Sequence, residues 1–257
     1  MRSIQALPIL LILGAVWGCG GLGSHTTAAE KIYITDGTRL VRVNDMEGNG
    51  WITLGSQGSG LEQFDFPEGM AIDSHGRIYV TDGGNNRIVR MDTADGTGWT
   101  TFGTSGTGIN QFNTPIGITV APNGQIYIGD WLNQRVVRID DMTGTGWTEL
   151  SAVSGPGHFS TPVDIKLDDL GHMYVVDYGQ DKVIMTGLMS TTGWTELPVA
   201  SCESVAIDNS HRLYVTSQST NTVNRYNSIA GDGLRTFGGT GTGYGQFNNP
   251  TTVVLHN

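Results

Sequence analysis

The chain has 257 residues, a formal net charge of −10 and 15% charged residues, and glycine is abundant at 38 residues. So much glycine excludes a fold of long helices, because each glycine in a helix interior costs about 1 kcal/mol. The 14 basic residues are scattered, so we expect no nucleic acid partner, since phosphate binding requires clustered lysine and arginine. The acidic field favours a cationic partner or a divalent cation.

The first residues have the pattern of a targeting segment. An apolar run extends from Ile4 to Val16, which suits a signal peptide and is shorter than the ~20 apolar residues of a membrane-spanning helix. The dipeptide Gly18-Cys19 follows and resembles a bacterial lipobox, whose cysteine becomes lipidated. We therefore predict a signal peptide over residues 1–18, lipidation of Cys19, and a flexible tether over residues 19–30 that is rich in glycine, serine and threonine.

This resemblance also predicts a location. Gly20, rather than an aspartate, follows the cysteine, which implies retention at the outer membrane. The alternative is ordinary cleavage near Ala28 and Ala29, which would leave a freely secreted protein. Either way, we expect the protein in the bacterial cell envelope or outside it, in contact with a membrane only through an N-terminal lipid anchor.

One segment recurs five times after residue 30. Equivalent positions, 40 to 48 residues apart, are occupied by Trp51, Trp99, Trp147, Trp194 and Leu234. A period in this range indicates a solenoid, a propeller or an array. We expect the recurring tryptophans to fill the space between neighbouring repeats.

Each copy has the pattern of four short strands. The segment "GITVAPNGQIYIGD" contains two strands joined by Asn123-Gly124, a strong hairpin signal. Segments such as "RVVRID" and "GWTEL" predict the third and fourth strands. Each copy is therefore predicted to be a four-stranded antiparallel meander, which is one blade of a propeller.

The ends of the repeat region predict how the ring closes. Residues 31–257 are predicted to form an all-β propeller with five blades, although six are possible. The first blade begins at its second strand, Lys31–Asp36, and "FNNPTTVVLHN" at the C-terminus matches the missing first strand. We therefore predict that the C-terminal strand pairs with Lys31–Asp36 and hides the open sheet edges.

Two copies carry a longer pattern that resembles the NHL repeat. The matching residues are Pro67, Gly69, Gly76, Ile78, Tyr79, Val80, Asp82, Asn86 and Arg87, and Pro115, Gly117, Gly124, Ile126, Tyr127, Ile128, Asp130, Asn133 and Arg135. The resemblance implies a propeller, commonly with six blades, that binds protein, RNA or a small ligand. The nearest enzymes that it implies are metal-dependent hydrolases and peptide-amidating lyases.

Four aspartates end the second strand of successive blades, with a serine in the fifth. These residues are Asp36, Asp82, Asp130, Asp177 and Ser217. Four carboxylates converging on an axis could hold a divalent cation, which takes oxygen ligands. Alternatively, each aspartate accepts hydrogen bonds in its own turn and recurs because the turn recurs.

The loops that follow these aspartates contain two aromatic residues in adjacent blades. Trp131 and Tyr178 replace glycine there. With Asp130 and Asp177 they form our candidate ligand-binding site at the channel mouth. The alternative is that the rings cover the rim or pack on each other.

We assign no catalytic residue from the sequence. His75, His172 and His211 fall in separate turns, and no serine, cysteine or lysine has a recognisable catalytic motif. We therefore predict a monomeric, non-catalytic binding or scaffold propeller for a protein or a small hydroxyl-rich or cationic ligand. We expect that it needs no cofactor, unless it binds a divalent cation. The alternative is a metal-dependent hydrolase or lyase on the propeller face.

Overall fold

The structure is a computed structural model that describes residues 10–14, 31–45, 47–151 and 155–255, with the backbone alone for residues 10–14. The chain forms five four-stranded antiparallel sheets, each a meander in sequence order. The predicted five-bladed all-β propeller is therefore confirmed.

The first three blades consist of the following strands. Blade 1 contains β1 Leu10–Gly14, β2 Lys31–Asp36, β3 Arg39–Val43 and β4 Ile52–Leu54. Blade 2 contains β5 Pro67–Ile72, β6 Ile78–Asp82, β7 Arg87–Met91 and β8 Thr100–Phe102. The short parallel pair β9 Thr104–Ser105 and β10 Gln111–Phe112 leads to blade 3, with β11 Pro115–Val120, β12 Ile126–Asp130, β13 Arg135–Ile139 and β14 Thr148–Leu150.

Two further blades follow. Blade 4 contains β15 Pro162–Leu167, β16 His172–Asp177, β17 Lys182–Gly187 and β18 Thr195–Pro198. Blade 5 contains β19 Cys202–Ile207, β20 Leu213–Ser217, β21 Thr222–Tyr226 and β22 Arg235–Gly238. Single 3₁₀ turns follow the second strand of three blades, at Gly83–Asn85, Trp131–Asn133 and Tyr178–Gln180. No helix in the described part of the chain is long and apolar enough to cross a membrane.

The hydrophobic core lies between successive blades. Phe102 from blade 2 packs with Ile128 and Trp147 from blade 3. The ring of Trp147 lies 5.5 Å from Phe112, and equivalent tilted contacts join Trp99 to Phe64 and Trp194 to Phe159. Three of the four recurring tryptophans therefore fill the space between blades as predicted.

Threonines tie one blade to the first strand of the next. Thr81 donates a hydrogen bond of 2.8 Å to the carbonyl of Ile116, and Thr35 donates one of 3.0 Å to the carbonyl of Glu68. Thr216 in blade 5 makes the same contact with the carbonyl of Thr251 at 3.3 Å. Residues 249–253 therefore lie beside blade 5, where the first strand of a following blade would be.

The predicted pairing of the C-terminal strand with β2 is not the pairing observed. β2 pairs instead with β1, with Leu11 opposite Ile34 and Leu13 opposite Ile32, and residues 251–255 form no strand. One edge of β2 can accept only one strand, and an apolar run of the predicted signal peptide occupies it. Residues 1–9 and 15–30, with the predicted lipidation site Cys19 and the tether, lie outside the described residues.

Candidate functional site

Three of the four strand-ending aspartates are buried and fix the loops of their own blades. Asp130 accepts hydrogen bonds from the backbone N–H of Asn113 at 2.7 Å and from the side chains of Asn133 and Arg135 at 2.8 Å each. Asp82 and Asp177 accept equivalent bonds in blades 2 and 4. Each carboxylate thereby fixes the turn after the second strand against the segment that enters the first strand.

Asp36 differs from the other three, because it is partly exposed and paired with Arg39. Burial raises the pKa of Asp82 and Asp130, although their hydrogen bonds and the neighbouring arginines oppose this shift. Within the described residues, no group of three or more histidine, cysteine, aspartate or glutamate side chains could hold a metal ion. The structure therefore does not bring the four aspartates together as a metal site.

A cavity of about 620 Å³ lies on the ring axis. Its walls are formed by the first strands of blades 2 to 5 and by residues 249–254. Ligand pockets in proteins typically measure about 300–1,000 Å³. We call this cavity the channel; it is large enough for a ligand.

Irregularities in the first strands shape the channel wall. The pairing register shifts after Pro67, Pro115, Pro162 and Cys202. Such bulges bend a strand and redirect side chains. The position after each of these residues lines the channel and is occupied by Glu68, Ile116, Val163 and Glu203, with Thr251 after Pro250 in the C-terminal segment.

The two aromatic residues of the predicted site also line the channel. Trp131 and Tyr178 begin the 3₁₀ turns after β12 and β16, and Gln218 holds the equivalent place in blade 5. Tyr178 is 39% exposed. No aromatic pair among the described residues includes either ring. The alternative that the two rings pack on each other is therefore not what the structure shows.

Asp130 and Asp177, the other two members of the predicted site, do not line the channel. Both are fully buried behind the rim. They position the turns that carry Trp131 and Tyr178.

Two segments of the chain match a known repeat. A family model of the NHL repeat matches residues 64–91 and 112–139, which cover most of blades 2 and 3. The chain is a five-bladed β-propeller with NHL repeats in blades 2 and 3. No curated protein matches the sequence.

Several solved structures share the fold of this NHL propeller. A chain of a nidogen–laminin complex is 22% identical, with 81% of this chain and 76% of that chain covered and a TM-score of 0.65. A catalytically inactive virginiamycin B lyase from Staphylococcus aureus, solved with quinupristin, is 16% identical, with 95% and 78% covered and a TM-score of 0.63. A streptogramin B lyase is 16% identical, with 89% and 72% covered and a TM-score of 0.61. At these identities the likeness shows the fold alone.

The channel of the NHL propeller also contains charged residues that the sequence interpretation missed. Asp164 is satisfied by its neighbours, since it accepts hydrogen bonds from Ser204 Oγ at 2.9 Å and Lys166 Nζ at 2.5 Å. Glu68 and Glu203 make no side-chain hydrogen bond or ion pair with any described residue. Neither glutamate of the wall therefore has a hydrogen-bonding or charged partner in the part of the chain that the structure describes.

The surroundings of these glutamates disfavour their charged forms. Burial raises the pKa of Glu203 to about 7, and the negative charges of Glu68 and Asp164 add to this shift. Burial also raises the pKa of Glu68. A signal was available in the sequence: the position after Pro67, Pro250 and their equivalents is Glu, Ile, Val, Glu and Thr in turn. The predicted site was chosen from positions where the same residue recurs in most blades, so this position, where the residue varies, was overlooked.

Proposed function

We propose that this NHL propeller is a binding protein that holds a small ligand in its channel without converting it. The observation that carries the proposal is the cavity of about 620 Å³, which joins the aromatic rim of Trp131 and Tyr178 to the carboxylates of the wall. Ligand sites typically combine an apolar concave wall with a few polar groups that orient the ligand.

The repeat itself supports a role for the rim. The residue after the strand-ending aspartate is Gly37 in blade 1 and Gly83 in blade 2, so the turn does not require a large side chain. Aromatic rings that the fold does not require, placed at a cavity and partly exposed, are typical of binding surfaces.

The location predicted from the first residues belongs to the same proposal. A lipid on Cys19 would hold the propeller at the bacterial envelope, because two or more acyl chains anchor a protein stably where one does not. The observation in support is the apolar run that ends at Gly18-Cys19. A channel held at that surface would meet ligands of the envelope or of the medium.

The test exchanges the rim residues for those of blade 2. We expect the double variant Trp131→Gly, Tyr178→Gly to keep its melting temperature within a few degrees and to lose most of its affinity for aromatic probes such as 2-phenylethylamine and 2-phenylethanol. Ligand-observed NMR titration measures the affinity. Tyr244→Ala is the matched control, because Tyr244 is fully exposed and outside the channel lining. Unchanged titration curves in the double variant would rule out the rim as the entrance.

The alternative function is a metal-dependent hydrolase or lyase. One observation favours it: the pKa of Glu203 near 7 is where a general base works best at neutral pH. Calorimetric titration with Zn²⁺ and Ca²⁺ distinguishes the two functions. We expect no stoichiometric binding of either ion, whereas one ion bound per chain with loss on Glu203→Gln would favour the enzyme.

A further inference from the structure

The repeat provides an internal comparison for the two unpartnered glutamates. Glu68 and Glu203 occupy the position that Ile116 and Val163 occupy in blades 3 and 4. Aliphatic side chains therefore satisfy the fold at this position. A half-buried carboxylate without a hydrogen-bond donor costs free energy relative to an aliphatic residue, so the fold gains nothing from either glutamate.

The charge of the channel is unbalanced as a result. Glu68 faces it from β5, Asp164 and Lys166 from β15, and Glu203 from β19. The ion pair between Asp164 and Lys166 leaves the two glutamates uncompensated. Neither β11 nor residues 249–254 contribute a titratable side chain to the wall.

The rest of the wall is mainly apolar. Ile72, Ile118, Val120 and Val254 are among the residues that line it. A bare inorganic cation would gain nothing from such a wall, and it takes several oxygen ligands. A cation with an apolar body would be matched by both parts of the cavity.

We propose that the channel binds an organic ammonium ion, with the charged group between Glu68 and Glu203 and the apolar body against the wall and the rim of Trp131 and Tyr178. This inference rests on the proposed function and names its ligand class. Aromatic faces attract cations as well as apolar groups, so the rim suits the entry of such a ligand. A bound ammonium ion would supply the hydrogen-bond donors and the positive charge that the two glutamates lack.

The experiment measures the dissociation constants of three probes that differ in charge: 2-phenylethylamine, 2-phenylethanol and 3-phenylpropionate. With the full-length chain at low salt and pH 8, we expect the amine to bind at least tenfold more tightly than the alcohol, and the carboxylate most weakly. The affinity for the amine should fall several-fold between pH 8 and pH 6, because Glu203 becomes protonated in that range while an alkylammonium ion stays charged.

The test variants replace the two glutamates with the residues that blades 3 and 4 have at the equivalent position. Glu68→Ile, Glu203→Val should bind the amine no better than the alcohol, with its affinity for the alcohol unchanged and its melting temperature equal or higher. Glu47→Val, at an exposed glutamate outside the channel lining, is the matched control and should behave like the natural chain. Tight binding of the amine by the double variant would overturn the inference.

The outcomes separate this inference from the proposed function. If the amine and the alcohol bind equally, and both depend on Trp131 and Tyr178, the ligand class is wrong while the channel remains a binding site. A second arm compares 2-phenylethylamine with a capped Phe-Lys dipeptide. Tighter binding of the dipeptide would identify a lysine side chain as the source of the ammonium group, and tighter binding of the amine would identify a small molecule.

Discussion

The junction between blades 2 and 3 and the junction between blades 5 and 1 are built from equivalent residues but differ in exposure. Phe102 and Phe112 are buried and meet edge to face at 6.0 Å, and the partly buried Trp147 of blade 3 packs on both of them. Phe237 and Phe247 form the same edge-to-face pair at 5.6 Å. The equivalent third ring is Trp51 of blade 1, and it packs on neither of them.

The exposed fractions of the rings also differ between the two junctions. Phe237 is 58% exposed and Trp51 is 57% exposed, whereas Phe102 is 8% exposed. No hydrogen bond joins blade 5 to blade 1 within the described ranges. Exposed aromatic surface of this kind is uncommon in a monomer. In the structure the aromatic rings at the ends of blades 5 and 1 therefore do not form the junction that their equivalents form between blades 2 and 3.

Truncation of the C-terminal end should have the largest effect. If residues 247–257 replace β1 beside β2 in solution, their deletion should abolish cooperative unfolding or cause aggregation, because it would then expose the edge of β2 and the first blade's core. Deletion of residues 1–30 should leave the melting temperature unchanged, because the C-terminal strand would then pair with β2. Thermal unfolding and size-exclusion chromatography measure both. A chain that tolerates the first deletion but not the second would show that β1 closes the ring.

Substitution of single rings tests whether the junction between blades 5 and 1 is packed in solution. Phe112→Ala should lower the free energy of unfolding by about 3–5 kcal/mol, because Phe112 is fully buried. Phe247→Ala should cost at least half as much if Trp51 packs on it in solution. Urea denaturation measures both values. A loss below about 1 kcal/mol for Phe247→Ala would indicate that the junction stays open.

Blade 5 has Glu203 in the channel wall where blade 4 has Val163, and the pH dependence of the stability should reveal this difference. Glu203 has a pKa of about 7 in the folded chain against an ordinary value of 4.5. The folded state therefore binds more protons than the unfolded state between these values, and the stability should fall as pH rises from about 4.5 to about 7. Glu203→Val, which copies Val163, should flatten this part of the profile and raise the melting temperature above pH 7. Melting curves across pH 4–8 test this, and an unchanged profile would contradict it.

Processing at Cys19 should have the smallest effect on the stability of the propeller. Cleavage before this residue would remove residues 10–14 and leave β2 free for the C-terminal strand. We expect Cys19→Ala to lose its lipid and accumulate uncleaved or unanchored, with little change in the melting temperature of the blades. Mass spectrometry of the mature N-terminus and membrane fractionation provide the measurement. An unmodified cysteine in the natural chain would show that the lipobox resemblance is misleading.

The sequence alone was sufficient for the architecture of the blades. The period of 40 to 48 residues, the two-residue alternation and turns such as Asn123-Gly124 are local signals that recur in successive copies, so each copy supports the interpretation of the others. The NHL pattern and the packing role of Trp99, Trp147 and Trp194 followed from the same repetition.

Only the tertiary structure decided which polar residues face the channel. Asp130 and Asp177 recur because their turns need them, and they are buried, whereas Glu68 and Glu203 lie in strands that look apolar in other copies. Bulges in the first strands turn the varying position towards the axis. A sequence pattern predicts which side chains face the channel from their regular alternation along a strand, and a bulge changes that alternation. The partner of β2 was likewise decided in three dimensions, because residues 10–14 pair with β2 while residues 249–253, which resemble a first strand in sequence, lie beside blade 5.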